Sequence, residues 1–488
     1  MRKLPAALLA PLLASLSSCG VDSAPTEQVV IIGAPDDPFS RGIRLTLAGQ
    51  LVRAATAEGL VGLDEQGRVI PAIADRWIVT DDGLSYIFRL RDGTWPDGTE
   101  ITGETARRAL NAALGELAGT SLAQEVMPID DIRAMAGRVL EIRLRRAVPE
   151  LLQLLAQPEL GLMRSAGAGA GGAMSLHRSG AVALLTPTPP ARLGMPQPED
   201  WREHQRSIAL RALPADVATE WFSDGKTDIV LGGRFQDLPQ AQAVAGLARR
   251  PLKLDPAPGL FGLAFTTTRA WLIQPECREA LAMAIDRDAI GAALGLGNWS
   301  GTTVIVPPPP GAASAERWAD RTLAQRQSEA AARISRCKAR NGDPGPLRLA
   351  LPEGPGSDAL HARLAGDLGL VGIALARVPE RTRSDLRLID MVARYPRAEW
   401  YLHQLSCAGL RGPCSAAADA LLAQMEEVGD PAKAPQLVAE AAAAVTAANV
   451  YVPLGAPVRW SLVRDRVNGF FPNAAAFHPL PPLAVVAQ

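Results

Sequence analysis

Residues 58–110 read EGLVGLDEQGRVIPAIADRWIVTDDGLSYIFRLRDGTWPDGTEITGETARRAL, and the fold is decided by how this stretch is read. At its centre Leu84, Tyr86, Phe88 and Leu90 alternate with Ser85, Ile87, Arg89 and Arg91. That period of two, with one face mostly polar, predicts a half-buried strand. Asp81-Asp82-Gly83 before it and Trp95-Pro96-Asp97-Gly98 after it read as turns, with Asp97 and Gly98 serving backbone geometry. Thr102 then stands where a helix cap belongs, ahead of Gly103 to Leu110. Trp77, Tyr86 and Phe88 read as core or strand-face packing, since aromatic rings bury large areas.

Working outward, Val29-Val30-Ile31-Ile32-Gly33 is a compact apolar run that predicts a buried strand opening the fold. Residues 50–61 suit a helix, Asp64 to Gly67 a turn, and Val139 to Leu144 a second alternating strand. Further helices are expected at 276–294, 323–340, 416–428 and 434–448. The Gly/Ala-rich segment 166–173 and the proline run 307–310 read as connectors, and no repeat of solenoid period is present. Short strands alternating with helices over 488 residues predict α/β architecture in two or more lobes, because one core rarely serves such a length. With 50 Lys+Arg against 51 Asp+Glu the formal charge is −1, which leaves no basic surplus for nucleic acid.

The amino terminus, MRKLPAALLAPLLASLSSCG, has a basic start and an apolar run from Leu4 to Leu16, interrupted by Pro5 and Pro11. The run is shorter than the roughly 18 apolar residues that cross a bilayer, so it reads as an export signal over 1–18. Leu16-Ser17-Ser18-Cys19 looks like a bacterial lipobox, so Cys19 is the expected lipidation site, followed by a polar tether over 19–28. Loss of Arg2 and Lys3 with the leader takes the charge from −1 to −3. Of the five cysteines, Cys277, Cys337, Cys407 and Cys414 then remain in an oxidising compartment, an even number that suggests two disulfides. Cys407 with Cys414 is the favoured pair, since two glycines and a proline lie between them. A rival zinc reading would recruit His403, but paired Cys-x-x-Cys spacing is missing.

Catalytic signatures are scarce. There is no Gly-x-Ser-x-Gly, His-Glu-x-x-His or Walker motif, and Gly167 to Gly172 matches Gly-x-Gly-x-x-Gly only as low-complexity sequence. Ser357, in Gly354-Pro355-Gly356-Ser357, is the one nucleophile considered for a cell-envelope hydrolase, and that segment is expected to be a flexible loop.

The ordered set Glu58-Gly59-Leu60, Pro71, Ala74, Trp77, Asp82-Gly83, Tyr86, Phe88, Leu90-Arg91, Gly93, Trp95 and Asp97-Gly98 resembles the family-5 extracellular solute-binding proteins of ABC importers, the peptide and nickel group. Phe222 to Ile229, Cys277 to Arg287, Val452-Pro453-Leu454 and Val467-Asn468-Gly469 are similar to later blocks of that family, in order. By spacing alone, Arg278, Asp286 and Arg287 fit a solvated helix face. The resemblance implies a two-lobed periplasmic-binding-protein-like fold of class II type, with an inserted subdomain in the first lobe and the solute enclosed between lobes. The expected division is 29–49, 165–258 and 456–488 for the first lobe, 50–164 for the insertion and 259–455 for the second lobe.

Peptide-binding members carry Tyr-Pro-Asp-Pro-x-x-Phe-Leu, whose acid can pair with a ligand's amino terminus. Here the run is Tyr395-Pro396-Arg397-Ala398-Glu399-Trp400-Tyr401-Leu402, so the charge at Arg397 is reversed. Arg397, Glu399, Trp400 and Tyr401 are therefore the candidate ligand contacts, with Arg397 either forking onto a carboxylate or phosphate or lying on the surface. The resemblance implies a monomeric, non-enzymatic receptor, periplasm-facing and held to the membrane by lipid alone, that hands a peptide-like or small polar solute to ABC permease subunits. No cofactor is expected, and no histidine pair has spacing suited to a metal. A sensor or peptide chaperone on the same scaffold is the alternative.

Overall fold

The computed structural model describes residues 26–486 apart from 96, 166–167, 170, 247–249, 309–315, 344 and 428–432. The leader, Cys19, most of the tether, Pro96 and parts of the two connectors lie outside the described residues.

Two large sheets form the body. The first has seven strands in the order Met174–Ser179, Val182–Pro187, Ser207–Leu213, Thr26–Ile32, Ile229–Arg234, Arg459–Val463 and Leu252–Leu254. The apolar run at Val29 is its central strand, parallel to neighbours on both sides, and Val29, Val30 and Ile31 are sealed from water. A strand covered on both faces needs such a continuous apolar run rather than alternation. It begins at Thr26, inside the segment expected to be tether. The helix Leu47–Thr56 is capped by Thr46, whose hydroxyl accepts from Gly49 N at 3.4 Å. It lays Leu51, Val52 and Ala55 on this sheet beside Leu480 and Leu483 of the carboxyl-terminal segment. The division expected at residue 50 therefore cuts a helix whose buried face packs on the first lobe, while Gln50 Nε2 donates to Glu159 of the insertion at 3.0 Å.

The second large sheet runs Leu375–Pro379, Leu347–Leu351, Leu386–Val392, Gly259–Phe265 and Tyr451–Gly455. The chain passes between the large sheets twice, from Leu254 to Gly259 and from Gly455 to Arg459. A Cys277–Cys337 disulfide ties the helix Pro275–Ala284 to Leu323–Asn341, and Cys407–Cys414 closes the short loop read from the sequence.

The stretch around Phe88 builds a separate antiparallel sheet, ordered Ala74–Val79, Ser85–Leu90, Val139–Leu144 and Ile129–Ala134. Tyr86, Phe88 and Leu90 face inward, as do Leu140 and Ile142 opposite them. The helix Gly103–Glu116 starts with a capping box, in which the Thr102 hydroxyl accepts from Thr105 N and the Thr105 hydroxyl accepts from Thr102 N.

Three expectations are corrected. Arg278 and Arg287 are buried, not solvated. Arg278 donates to the carbonyls of Leu272, Ile273, Ala448 and Asn449, and Arg287 to those of Ile285 and Pro453. The Arg278 guanidinium thus satisfies carbonyls at the ends of two helical segments, and Arg287 ties the start of its own helix to the strand Tyr451–Gly455. Second, the helix expected over 276–294 is two helices, Pro275–Ala284 and Arg287–Ala293, because the Asp286 carboxylate caps the second by accepting from Ala289 N at 3.2 Å. Third, Ser357 is in the first turn of the helix Pro355–Leu370, fully buried, and its hydroxyl has no hydrogen-bond partner among the described residues. A nucleophile requires a base within reach, so Ser357 does not fill that role.

Candidate functional site

The inserted subdomain and the second lobe share one continuous apolar core. Phe88, Leu140 and Leu155 of the former belong to the same buried cluster as Trp400, Tyr401 and Tyr451 of the latter. Polar groups are set into this seam. The short helix Ser121–Glu125 ends on Glu125, whose side chain is 0% exposed and accepts from Arg394 Nη1 at 2.5 Å and from Gln404 Nε2 at 3.4 Å. Burial pushes its carboxyl up to about 7, against the attraction of Arg394. Its second oxygen, Oε2, is buried with no partner.

The two outer pairs are ionic. Arg146 forks onto Glu426 at 2.8 and 2.5 Å. Arg397 reaches Glu150 of the inserted subdomain at 3.3 Å and Glu399 of its own helix at 3.4 Å. Its side chain remains 46% exposed, so Arg397 sits at the rim of the seam. Burial works against the Arg397 charge, but the two glutamates outweigh it and hold its pKa above the usual value.

Trp400 and Tyr401 take the opposite position. They lie inside the helix Ala398–Gln404, at 0% and 1% exposure, with rings edge to face at 5.0 Å. Both polar tips, Trp400 Nε1 and Tyr401 OH, are buried without partners, and burial raises the Tyr401 hydroxyl to about 12. Buried donors and acceptors are normally satisfied, and Glu125 Oε2, Trp400 Nε1, Tyr401 OH and His403 Nδ1 are four exceptions along this seam among the described residues. His403 is buried in the same helix, and burial depresses its pKa. Cys407 is consumed in its disulfide, so the zinc reading with His403 loses its thiolate.

Where the chain crosses between the large sheets, Asp390 on the central strand of the second lobe is gripped by two arginines of the first. Its carboxylate accepts from Arg234 Nε and Nη2 at 3.0 and 2.8 Å and from Arg459 Nη1 at 2.7 Å. The Asp390 side chain is 1% exposed, so this is a clamp between the two large sheets on a buried carboxylate, with Arg234 on Oδ2 and Arg459 on Oδ1. Burial depresses the Arg459 guanidinium even so. Beside it Gly233 lies against the Trp460 ring, where a Cβ would come within 2.1 Å of ring carbons. Trp460 Nε1 donates to Arg234 O at 2.8 Å and fixes that approach.

Of the residues singled out in the sequence, Arg397 and Glu399 lie toward the rim of the seam, whereas Trp400 and Tyr401 are buried inside it. The sequence did not single out Glu125, Arg394, Gln404 or Asp390. These are charged or amide residues at unremarkable spacings, and their signal is tertiary: the partners of Asp390 lie 156 and 69 residues away.

The chain resembles known proteins at several levels. Over 125 residues it is 34% identical to the probable deoxycholate-binding periplasmic protein YgiS of Escherichia coli K12, covering 21% of this chain and 23% of that one. Over 311 residues it is 23% identical to the glutathione-binding protein GsiB of the same strain, covering 60% of this chain and 58% of GsiB. The matched part thus spans little more than half the length of GsiB and about a quarter of YgiS. The fold superposes on Haemophilus influenzae OppA in complex with the peptide RPPGFSPFR with a TM-score of 0.76, at 16% identity, over 95% of this chain and 99% of that one. The two large sheets and two crossings are accordingly the two-lobed architecture of periplasmic binding proteins. Residues 68–334, or 267 of 488, match the model of the bacterial extracellular solute-binding proteins, family 5, middle region. With more than half of its length in that match and the fold to go with it, the chain belongs to the family-5 bacterial extracellular solute-binding proteins.

Proposed function

We propose that the protein is a lipid-anchored, extracytoplasmic receptor that captures a peptide-like or small polar solute between its lobes and delivers it to the permease subunits of an ABC importer. The observation that carries this is the two-lobed fold, which superposes on peptide-bound OppA over 95% of the chain; where the inserted subdomain meets the second lobe, Glu125 Oε2, Trp400 Nε1 and Tyr401 OH are buried with no partner among the described residues. A solute with amine, amide and hydroxyl groups matches that set of one acceptor and two donors. Glu125 supplies the carboxylate for an amine that the position of Arg397 does not, and Arg397 with Glu399 acts at the mouth. The names of GsiB and OppA favour the peptide-like class.

In this reading residues 1–18 are removed, Cys19 carries lipid, and the receptor acts as a monomer without bond-making chemistry. The lobes divide near 259 and 455, with the hinge at the two crossings, and closure is what the permease detects. Mass spectrometry of small molecules released on denaturing protein purified from its native host tests the solute class. A peptide-like or amine-bearing compound at one per protein is expected. A purely apolar or purely anionic passenger would overturn the assignment of Glu125. Cys19→Ala, after complete removal of the leader, should release the protein from membranes without unfolding it. Retention of that processed variant on membranes would refute the anchor.

A further inference from the structure

A second chamber lies between the first lobe and the inserted subdomain, with a volume of about 1340 Å³ and no wall contributed by the second lobe. Its walls come from the loop at Pro38 to Arg41, the helix Leu47–Thr56, the turn at Trp95, the strand Met174–Ser179 and the segment Ala191 to Leu193. Five arginines line it, Arg41, Arg53, Arg91, Arg178 and Arg192, and no aspartate or glutamate does. Two of the five have partners behind the wall. Arg91 is paired with Glu58 and donates to the carbonyls of Ala72 and Leu193, while Arg178 reaches Asp36 at 2.7 Å and lies 4.0 Å over the Phe39 ring. Counting those two carboxylates, the balance of the chamber is 5 − 2 = +3.

The side chains of the remaining three, Arg41, Arg53 and Arg192, make no hydrogen bond or ion pair with any described residue. Arg53 is half-buried, and its burial disfavours the charge, with Glu159 and Glu116 opposing that from a distance. Arg41 and Arg192 are exposed at the rim. Like charges converging on a low-dielectric concavity focus a positive field and raise the local concentration of anions. Guanidinium groups are also the side chains best matched to carboxylate and phosphate geometry. Phe39, its ring covered on one side by Arg178, adds an apolar surface for a scaffold bearing those groups. We propose that this chamber is a second binding site, separate from the seam, for a small multivalent anion carrying carboxylate or phosphate groups.

Isothermal titration of the mature protein with citrate and, separately, with pyrophosphate at low ionic strength tests it. At least one should bind saturably at one per protein, and the stronger of the two identifies the anion chemistry. Arg53→Gln combined with Arg192→Gln should weaken that binding at least tenfold, and Arg41→Gln, at an exposed position, should weaken it severalfold without disturbing the fold. Arg397→Gln at the seam should leave it unchanged. Absence of saturable binding for both anions, or equal affinity in wild type and the chamber variants, overturns the proposal. Loss of binding in Arg397→Gln would place the anion in the seam and overturn it as well.

Discussion

Glu125→Gln keeps the shape of the side chain and an acceptor for Arg394 while removing the titration. In the unfolded chain the carboxyl ionises near 4.5, and in the folded protein burial raises this to about 7. Between those values the folded state holds a proton that the unfolded state has released, so this group lowers stability as pH rises through the window. Below 4.5 both states are protonated and the contribution vanishes; above 7 it is fully expressed. The difference between 4.5 and about 7 corresponds to about 3 kcal/mol. Glu27, Glu58, Glu150 and Asp237 are also shifted upward by burial, so the raw pH profile is a sum. The readout is therefore the difference between wild type and variant in denaturant unfolding from pH 4 to pH 8. The curves should nearly coincide at pH 4 and separate toward pH 8, with the Gln variant more stable by up to about 3 kcal/mol. A difference that stays flat, or a wild type that gains on the variant as pH rises, would mean that Arg394 outweighs burial and the reasoning fails.

Other outcomes follow from named contacts. Removing the Cys277–Cys337 bridge, which spans 60 residues, should cost about 4 kcal/mol, and removing Cys407–Cys414, which spans 7, about 2–3 kcal/mol; the reverse order in guanidinium unfolding would refute the chain-entropy account here. Arg278→Ala strips the donor from four carbonyls and should cost about 3 kcal/mol, so a loss below about 1 kcal/mol would return Arg278 to solvent. Arg397→Glu places a third carboxylate beside Glu150 and Glu399, and calorimetry with the co-purified solute should find affinity lowered more than tenfold; an unchanged Kd makes the rim irrelevant. Asp390→Asn leaves Arg234 and Arg459 facing each other without a full countercharge and should destabilise by roughly 3–5 kcal/mol, whereas a neutral effect would mean the clamp is solvated.

The elements were legible where a local pattern has a single physical cause. Alternation from Ser85 to Leu90 means one face is buried, and that face is the one carrying Tyr86 and Phe88. Thr102 and Thr46 precede their helices because a hydroxyl there satisfies an otherwise orphaned amide. Errors arose where side-chain chemistry and spacing point one way and tertiary neighbours another. Arg278 and Arg287 have the composition of a wet helix face, yet each is drawn inside by carbonyls more than 160 residues further along the chain. Nothing in the local window can report such a partner.

The same asymmetry explains why the family could be read and the site could not. Turns, caps and alternating strands are conditions that each stretch of chain must meet by itself, and Glu58 to Leu110 meets them in sequence. Recognition is a condition on pairs that meet only after folding. Glu125 and Arg394 are 269 residues apart and come from different bodies, and neither would be notable if the seam did not exclude water from both. Burial makes Glu125 titrate near neutral pH and leaves one of its oxygens wanting a donor. Arg397 carries the right motif position but stays at the rim, because Glu150 and Glu399 hold it there. A residue's place in a motif therefore says how its own stretch of chain folds. Which groups lose their water depends on what packs against them, and that belongs to the assembled fold rather than to either body.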